Sequence, residues 1–251
     1  MSNPYTLSPA TPADAPRIAT IYSKSWVSPF TQLQFGHVTP TALASIMAPR
    51  VAQQMTEPYT QWMVMRYTSP EGEEEVAAVA TWNIPHDEEP DHDAESAEDR
   101  EERVKFEDEL YRKSLPETSN KDLVMEFTVG LRDLRKDVLR GRRHFGKLSV
   151  VLLPLSECLF RPPALDNIAT HPDHRGQGLA SQLISWGTSQ ADAQNVVVYL
   201  DTASENPAKG LYTKLGFQEQ SNRSVIEDLS KFGGEGSHTH VAFVRDPKNS
   251  A

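Results

Sequence analysis

The residues best suited to chemistry lie between positions 168 and 217. Ile168-Ala169-Thr170 runs into His171-Pro172-Asp173-His174-Arg175-Gly176-Gln177-Gly178-Leu179-Ala180-Ser181, a glycine-bearing turn that opens a helical pattern. Such a turn presents several backbone N–H groups at a helix N-terminus, where they lack partners and the helix dipole is positive, and it therefore suits phosphate. The following apolar run, Val196 to Leu200, ends on Asp201, and Asn206 and Tyr212 come shortly after. A carboxylate, an amide and a phenol thus follow a phosphate turn, and the predicted ligand carries a pyrophosphate.

Two ligands compete for this turn. Gly176-Gln177-Gly178-Leu179-Ala180-Ser181 nearly fits the dinucleotide fingerprint, with Asp201 placed for a ribose contact. Three details oppose that fit. Ser181 is larger than the Gly or Ala that close helix–strand packing prefers. The segment Thr170 to Arg175 separates strand from first glycine, and too little chain follows Asp201 for another half-sheet. Taken from Arg175, the run is instead Arg-x-x-Gly-x-Ala, and Leu211-Tyr212-Thr213-Lys214-Leu215-Gly216-Phe217 follows in order. In these two motifs the chain resembles the GNAT superfamily of acyl-CoA-dependent N-acetyltransferases, closely over residues 164–220 and loosely at the N-terminus.

The resemblance implies an α/β (α+β) fold with a mixed, mostly antiparallel central sheet of about six to seven strands flanked by helices. It implies acetyl-CoA as cosubstrate and a primary amine of a small molecule or peptide as acceptor. Pantetheine would pair with the backbone of Ile168, Ala169 and Thr170, where the strand splays from its neighbour. Arg175, Gly176, Gln177, Gly178, Leu179, Ala180 and Ser181 would wrap the pyrophosphate, and Asn206 would touch the cofactor or cap its own loop. Tyr212 would protonate the leaving thiolate. The position where some members carry a glutamate base falls near Ala164, so Asp201 is the best replacement, with Asp166, His171 and Glu157 behind it. A catalytically silent acyl-CoA-binding module and a nicotinamide-dependent oxidoreductase are the competing functions.

Composition narrows the field. The chain has 251 residues and a formal net charge of −10, which disfavours a nucleic-acid backbone as partner and permits a cationic substrate. Its single cysteine, Cys158, excludes an intrachain disulfide and a cysteine zinc cluster, so no metal is expected. No apolar stretch approaches the roughly 20 residues that span a bilayer. A cytoplasmic protein without membrane contact is the simplest expectation.

The remaining pattern supplies the elements that hold these residues. Tyr5-Thr6-Leu7 is a candidate strand, and Thr11-Pro12-Ala13-Asp14 caps a helix whose Ile18, Ile21, Tyr22 and Trp26 share a face, with Pro29 expected to end it. A second helix covers Pro40 to Met55, and Trp62 to Tyr67 with Glu75 to Trp82 form a hairpin around Pro70-Glu71-Gly72. Residues 86–122 form an acidic, partly helical insertion into a single domain. It is a solvated appendage or an acidic lid for a cationic amine, and its Asp/His metal alternative lacks an apolar frame. Leu123 to Leu139 is an amphipathic helix with a basic end, and Lys147 to Leu155 a candidate strand. Strands follow at Ala164–Thr170 and Val196–Leu200, with a helix over Ser181–Ala193 between them. Candidate closing strands are Arg223–Leu229 and His238–Arg245. Trp26, Phe30 and Phe35 are candidate aromatic walls of the acceptor site.

Overall fold

A computed structural model of the chain describes residues 3–58, 60–83, 96–140 and 164–248. The strands are β1 (Tyr5–Pro9), β2 (Thr60–Thr68), β3 (Glu74–Asn83), β4 (Ala164–Thr170), β5 (Val198–Ala203), β6 (Gln218–Ile226) and β7 (His238–Arg245). They form one seven-stranded sheet in the order β1-β2-β3-β4-β5-β7-β6. Every pairing is antiparallel except that of β4 with β5, which is parallel. The helices are α1 (Ala15–Ser25), α2 (Pro29–Phe35), α3 (Pro40–Gln54), α4 (Ala97–Ser114), α5 (Lys121–Leu139), α6 (Leu179–Gln194) and α7 (Lys209–Lys214).

Apolar side chains divide between the two faces of the sheet. On one face, Leu179, Leu183 and Ile184 of α6 and Tyr212 of α7 pack on Met65, Ala80, Trp82, Leu200 and Phe243. On the other, α1 places Ile18, Ile21 and Tyr22 against Val64, Val79 and Ala169. The same face carries Leu134, Val138 and Leu139 of α5 against Ala164, Tyr199 and Val244. Val198, Tyr199 and Leu200 are buried, as a strand covered on both faces requires.

Local chemistry explains most element ends and corrects some expectations. Pro29 starts α2 instead of ending α1: Ser28 caps it through Thr31 N–H, and the ring sits in the first turn, where its missing N–H costs nothing. α6 begins at Leu179, two residues before the expected Ser181, because Gly178 turns left-handed with φ at 73° and serves as its N-cap. β6 begins at Gln218, directly after the buried Phe217, and not at Arg223.

The long segment between β3 and β4 joins neighbouring strands of the sheet. Among the described residues of that segment, α4 has no buried side chain; Ser96 caps it, and Asp108 meets Arg132 of α5 at 2.9 Å. α5 belongs to the core. The acidic run 86–93, the candidate strand 147–155, and Glu157 and Cys158 lie outside the described residues.

Candidate active site

The turn after β4 is built on a buried base. His171 donates its N–H to Ala77 of β3, and its ring is 3% exposed. Its Nδ1 accepts Asp173 N–H at 3.3 Å and its Nε2 lies 3.0 Å from Lys24 Nζ. Burial, then the charges of Arg17 and Lys24, lowers its pKa. His174 is anchored equally, to Tyr5 at 3.1 Å and Glu75 at 3.0 Å. From this anchored start the chain runs into solvent: Arg175, Gly176, Gln177 and Gly178 are exposed. Gly176 and Gly178 have φ of 78° and 73°, and a Cβ at either would meet nothing within 4 Å. Among the described residues no acceptor takes the amides of residues 176–181; the first bond of α6 is Gln182 N–H to Gly178 O. A run of unpartnered amides at the N-terminus of a long helix is an anion cradle with space above it. Leu179 contributes by its backbone alone, since its side chain is in the core.

Beside this cradle the sheet opens. β4 and β5 share a single paired position, Ala164 with Tyr199. Beyond it both strands continue, yet no further ladder forms between them. On its other edge β4 remains paired with β3 through Thr170 opposite Ala78. Because His171 N–H bonds Ala77, antiparallel alternation turns the backbone of Ala169 toward Val79 and that of Ile168 and Thr170 toward the opening. Thr170 O accepts Ser25 Oγ at 3.2 Å. Ile168 and Thr170 therefore offer backbone groups to an extended ligand, whereas Ala169, grouped with them on sequence grounds, gives its own to β3.

Titratable groups gather along the opened stretch of β5. Asp201 Oδ1 lies 3.1 Å from His240 Nδ1, with the two side chains 12% and 15% exposed. Tyr212 comes from the opposite face, packed against Phe217 and Phe243. Burial first, and the Asp201 charge second, push its pKa up to about 12. Among the described residues its hydroxyl makes no hydrogen bond. Tyr199 is buried, with Arg135 over its ring at 5.1 Å, and its pKa is raised by burial and then by Asp201. His238 stacks on Phe30 with ring centroids 3.5 Å apart, and burial takes its pKa down to about 4.

The other sequence candidates have local partners. Asp166, the extra residue where β4 bulges opposite Thr81 and Trp82, meets Arg135 at 3.3 Å. Asn206 donates to Thr202 Oγ1 at 2.6 Å and accepts Ala208 N–H at 2.9 Å, which caps the loop before α7 and leaves one Nδ2 hydrogen for a ligand. Of the expected aromatic walls, Phe30 faces Phe127 and His238. Trp26 stacks on Tyr22, and Trp26 and Phe35 line a separate small recess with Leu43. Sequence reasoning missed His238 and His240. Their alternation, His238-Thr239-His240, places both on one face of a strand already expected there. Among the described residues no group of three or more His, Cys, Asp or Glu side chains is placed to hold a metal. Nor is any described helix long and apolar enough to cross a membrane.

Comparison with known proteins bears on the fold. Residues 149–219 match the family model of the acetyltransferase (GNAT) domain. No curated protein matches the sequence. The chain is similar to an agmatine N-acetyltransferase, with 15% identity, 97% of this chain and 100% of that chain covered, and a TM-score of 0.55. It is similar to a polyamine N-acetyltransferase of Drosophila melanogaster, with 13% identity, 96% and 99% coverage, and a TM-score of 0.53. An N-acetyltransferase from Staphylococcus aureus Mu50 aligns at 12% identity, 98% and 99% coverage, and a TM-score of 0.50. Identities this low establish the fold, and the fold is that of the GNAT acetyltransferases.

Proposed function

We propose that this protein, whose fold is that of the GNAT acetyltransferases, transfers an acetyl group from acetyl-CoA to the primary amine of a small molecule or peptide by direct attack on the thioester. The observation that carries the reading is the opening between β4 and β5 beside an exposed amide cradle. A pyrophosphate fits the cradle, since the amides of residues 176–181 lack acceptors and neither glycine has a neighbour within 4 Å of its Cβ position. Arg175, Gly176, Gln177 and Gly178 lie on the exposed side, and the first turn of α6 supplies the amides of Leu179, Ala180 and Ser181. Ile168 and Thr170 hold the pantetheine arm through backbone groups, and Asn206 adds its remaining hydrogen.

The thioester is already activated, so the protein's work is to orient an amine, receive its proton and accommodate negative charge on sulfur. Tyr212 hydrogen-bonds the leaving sulfur through its hydroxyl, and Asp201 lies on the proton-accepting side. The chain's net charge of −10 favours a cationic acceptor. Two proteins that share the fold are named for agmatine and polyamine acetylation, which places alkyl amines first in the search. The test is thiol release from acetyl-CoA with a panel of alkyl, aromatic and peptide amines. Amine-dependent release with the N-acetyl product formed is expected. Acetyl-CoA binding without release from any amine would leave a silent binding module, and stabilisation by NAD but not CoA would replace the reading altogether.

A further inference from the structure

Asp201 is the carboxylate that sequence reasoning offers as base, but its geometry gives it a different task. Its Oδ1 is engaged by His240 Nδ1 at 3.1 Å. With the carboxylate ionised, Nδ1 carries the ring hydrogen and Nε2 keeps its lone pair. Among the described residues Nε2 has no hydrogen-bond partner, so the imidazole is held from one side and left free on the other. The pair spans β5 and β7, with Asp201 opposite Ala242 and Ala203 opposite His240. It stands past Tyr199, the last position where β4 still pairs with β5, and so borders the opening.

The neighbouring histidine is not an equivalent choice. His238 is buried against Phe30, and its Nδ1 is 4.0 Å from Glu205. Its Nε2 is buried and unpartnered, and burial has taken its pKa down to about 4. A ring so reluctant to hold a proton is a poor acceptor near neutral pH. His240 has a carboxylate at hydrogen-bond distance, 3.1 Å, where that of His238 stands at 4.0 Å.

We infer that His240 is the residue that takes the amine's proton, and that Asp201 is the positioning residue that fixes its tautomer and orientation. The inference rests on the acetyl-transfer reading. As the amine nitrogen bonds to the acetyl carbon, its N–H proton passes to His240 Nε2. The C–S bond breaks with its electron pair on sulfur, which accepts a hydrogen bond from the Tyr212 hydroxyl. The proton on His240 then reaches the thiolate through solvent. This yields one amide and one thiol and returns the protein to its starting state.

Among the described residues, the charged and titratable groups facing His240 are Asp201 on β5, Glu205 in the turn after it, and His238 on the same strand. Tyr212 couples to the pair through Asp201. α5 presents the uncharged edge of Phe127, with ring centroids 4.9 Å apart, and its Arg135 is directed to Tyr199 and Asp166. β6 sets Ser224 opposite.

The experiment is the pH profile of kcat/KM for wild type, His240→Gln, Asp201→Asn and the double variant, with acetyl-CoA affinity measured alongside. Gln keeps much of the shape and cannot take the proton. His240→Gln is expected to lose kcat at least tenfold with acetyl-CoA affinity unchanged, and to flatten the acidic limb of the profile. Asp201→Asn is expected to lower kcat, and the double variant to be no worse than His240→Gln alone. A His240→Gln protein within twofold of wild type, or one slowed equally at every pH, would overturn the assignment while acetyl transfer stands. A wild type inert toward every amine would overturn the acetyl-transfer reading, and the assignment with it.

Discussion

Replacing Tyr212 by phenylalanine deletes one hydroxyl and keeps the ring between Phe217 and Phe243. With its pKa pushed up to about 12, the phenol holds its hydrogen throughout the neutral range. The same shift limits what it can do. A thiol is more acidic than such a phenol (about 8.5 for a cysteine side chain), so complete transfer to a thiolate is uphill by a few kcal/mol. The hydroxyl therefore acts by hydrogen bonding to the developing sulfur charge, and the loss belongs at the low end of acid catalysis. We expect kcat to fall roughly tenfold to a hundredfold, or about 1.4–2.7 kcal/mol, with acetyl-CoA affinity nearly unchanged. Stability provides an independent check with a definite sign. The folded pKa is raised from 10.0, so the unfolded chain ionises first, and stability is lost as pH rises from 10 toward 12. Phenylalanine escapes that loss; the difference is about 2.3 kcal/mol in favour of the variant at pH 12 and approaches about 2.7 kcal/mol above it. Thiol release under chemistry-limited conditions, with urea unfolding at pH 8 and pH 11, measures both. A variant at the wild-type rate makes Tyr212 a core aromatic, and equal pH dependence of stability in the two proteins would refute the burial argument.

Two predictions concern the scaffold. Arg245 is 3% exposed and grips both Asp192 oxygens at 2.8 Å, so Asp192→Ala should cost about 3–5 kcal/mol in urea unfolding by leaving a buried guanidinium alone. Hydrogen bonding from Arg245, opposed by burial, holds the Asp192 carboxyl below its ordinary 3.8. Its contribution is thus present above that value and fades as pH falls through the folded pKa, and Asp192→Asn should remove this acid sensitivity. A Cβ at Gly187 would lie 2.3 Å from the Trp82 ring, which is 1% exposed. Gly187→Ala should therefore cost about 1–3 kcal/mol despite its better helix propensity, and a more stable variant in thermal melts would contradict the packing described.

The sequence foretold the frame best where a local signal coincided with a tertiary role. The face of Ile18, Ile21 and Tyr22, the hairpin of β2 and β3, and the apolar β5 all appear where their periodicities put them. The glycines of the phosphate turn were legible for the same reason, since a left-handed backbone leaves few alternatives. The limits lay where packing across the fold decides. Pro29 carries equal signals for an end and a beginning, and the cap at Ser28 settles it. Ala169 lies between Ile168 and Thr170 in the sequence, yet strand alternation turns its backbone the other way. The Asp201–His240 contact joins residues 39 positions apart, and a spacing rule for either residue alone cannot reveal it. Asn206 suits either a ligand or its own loop by type; the loop takes its oxygen and one of its two amide hydrogens, and leaves the other free.

Residues 175–181, beside the opening of β4 and β5, are where we propose that acetyl-CoA binds. Calorimetric titration of acetyl-CoA into wild type and Gly178→Leu tests it most directly. Gly178 has φ at 73° and open space around its Cβ position, so a leucine there adds strain on the order of 1–2 kcal/mol and projects into the space left for the pyrophosphate. Binding by wild type is expected, and its loss in a folded, cooperatively melting Gly178→Leu protein. Undiminished affinity in that variant, or no binding by wild type, would contradict the proposal.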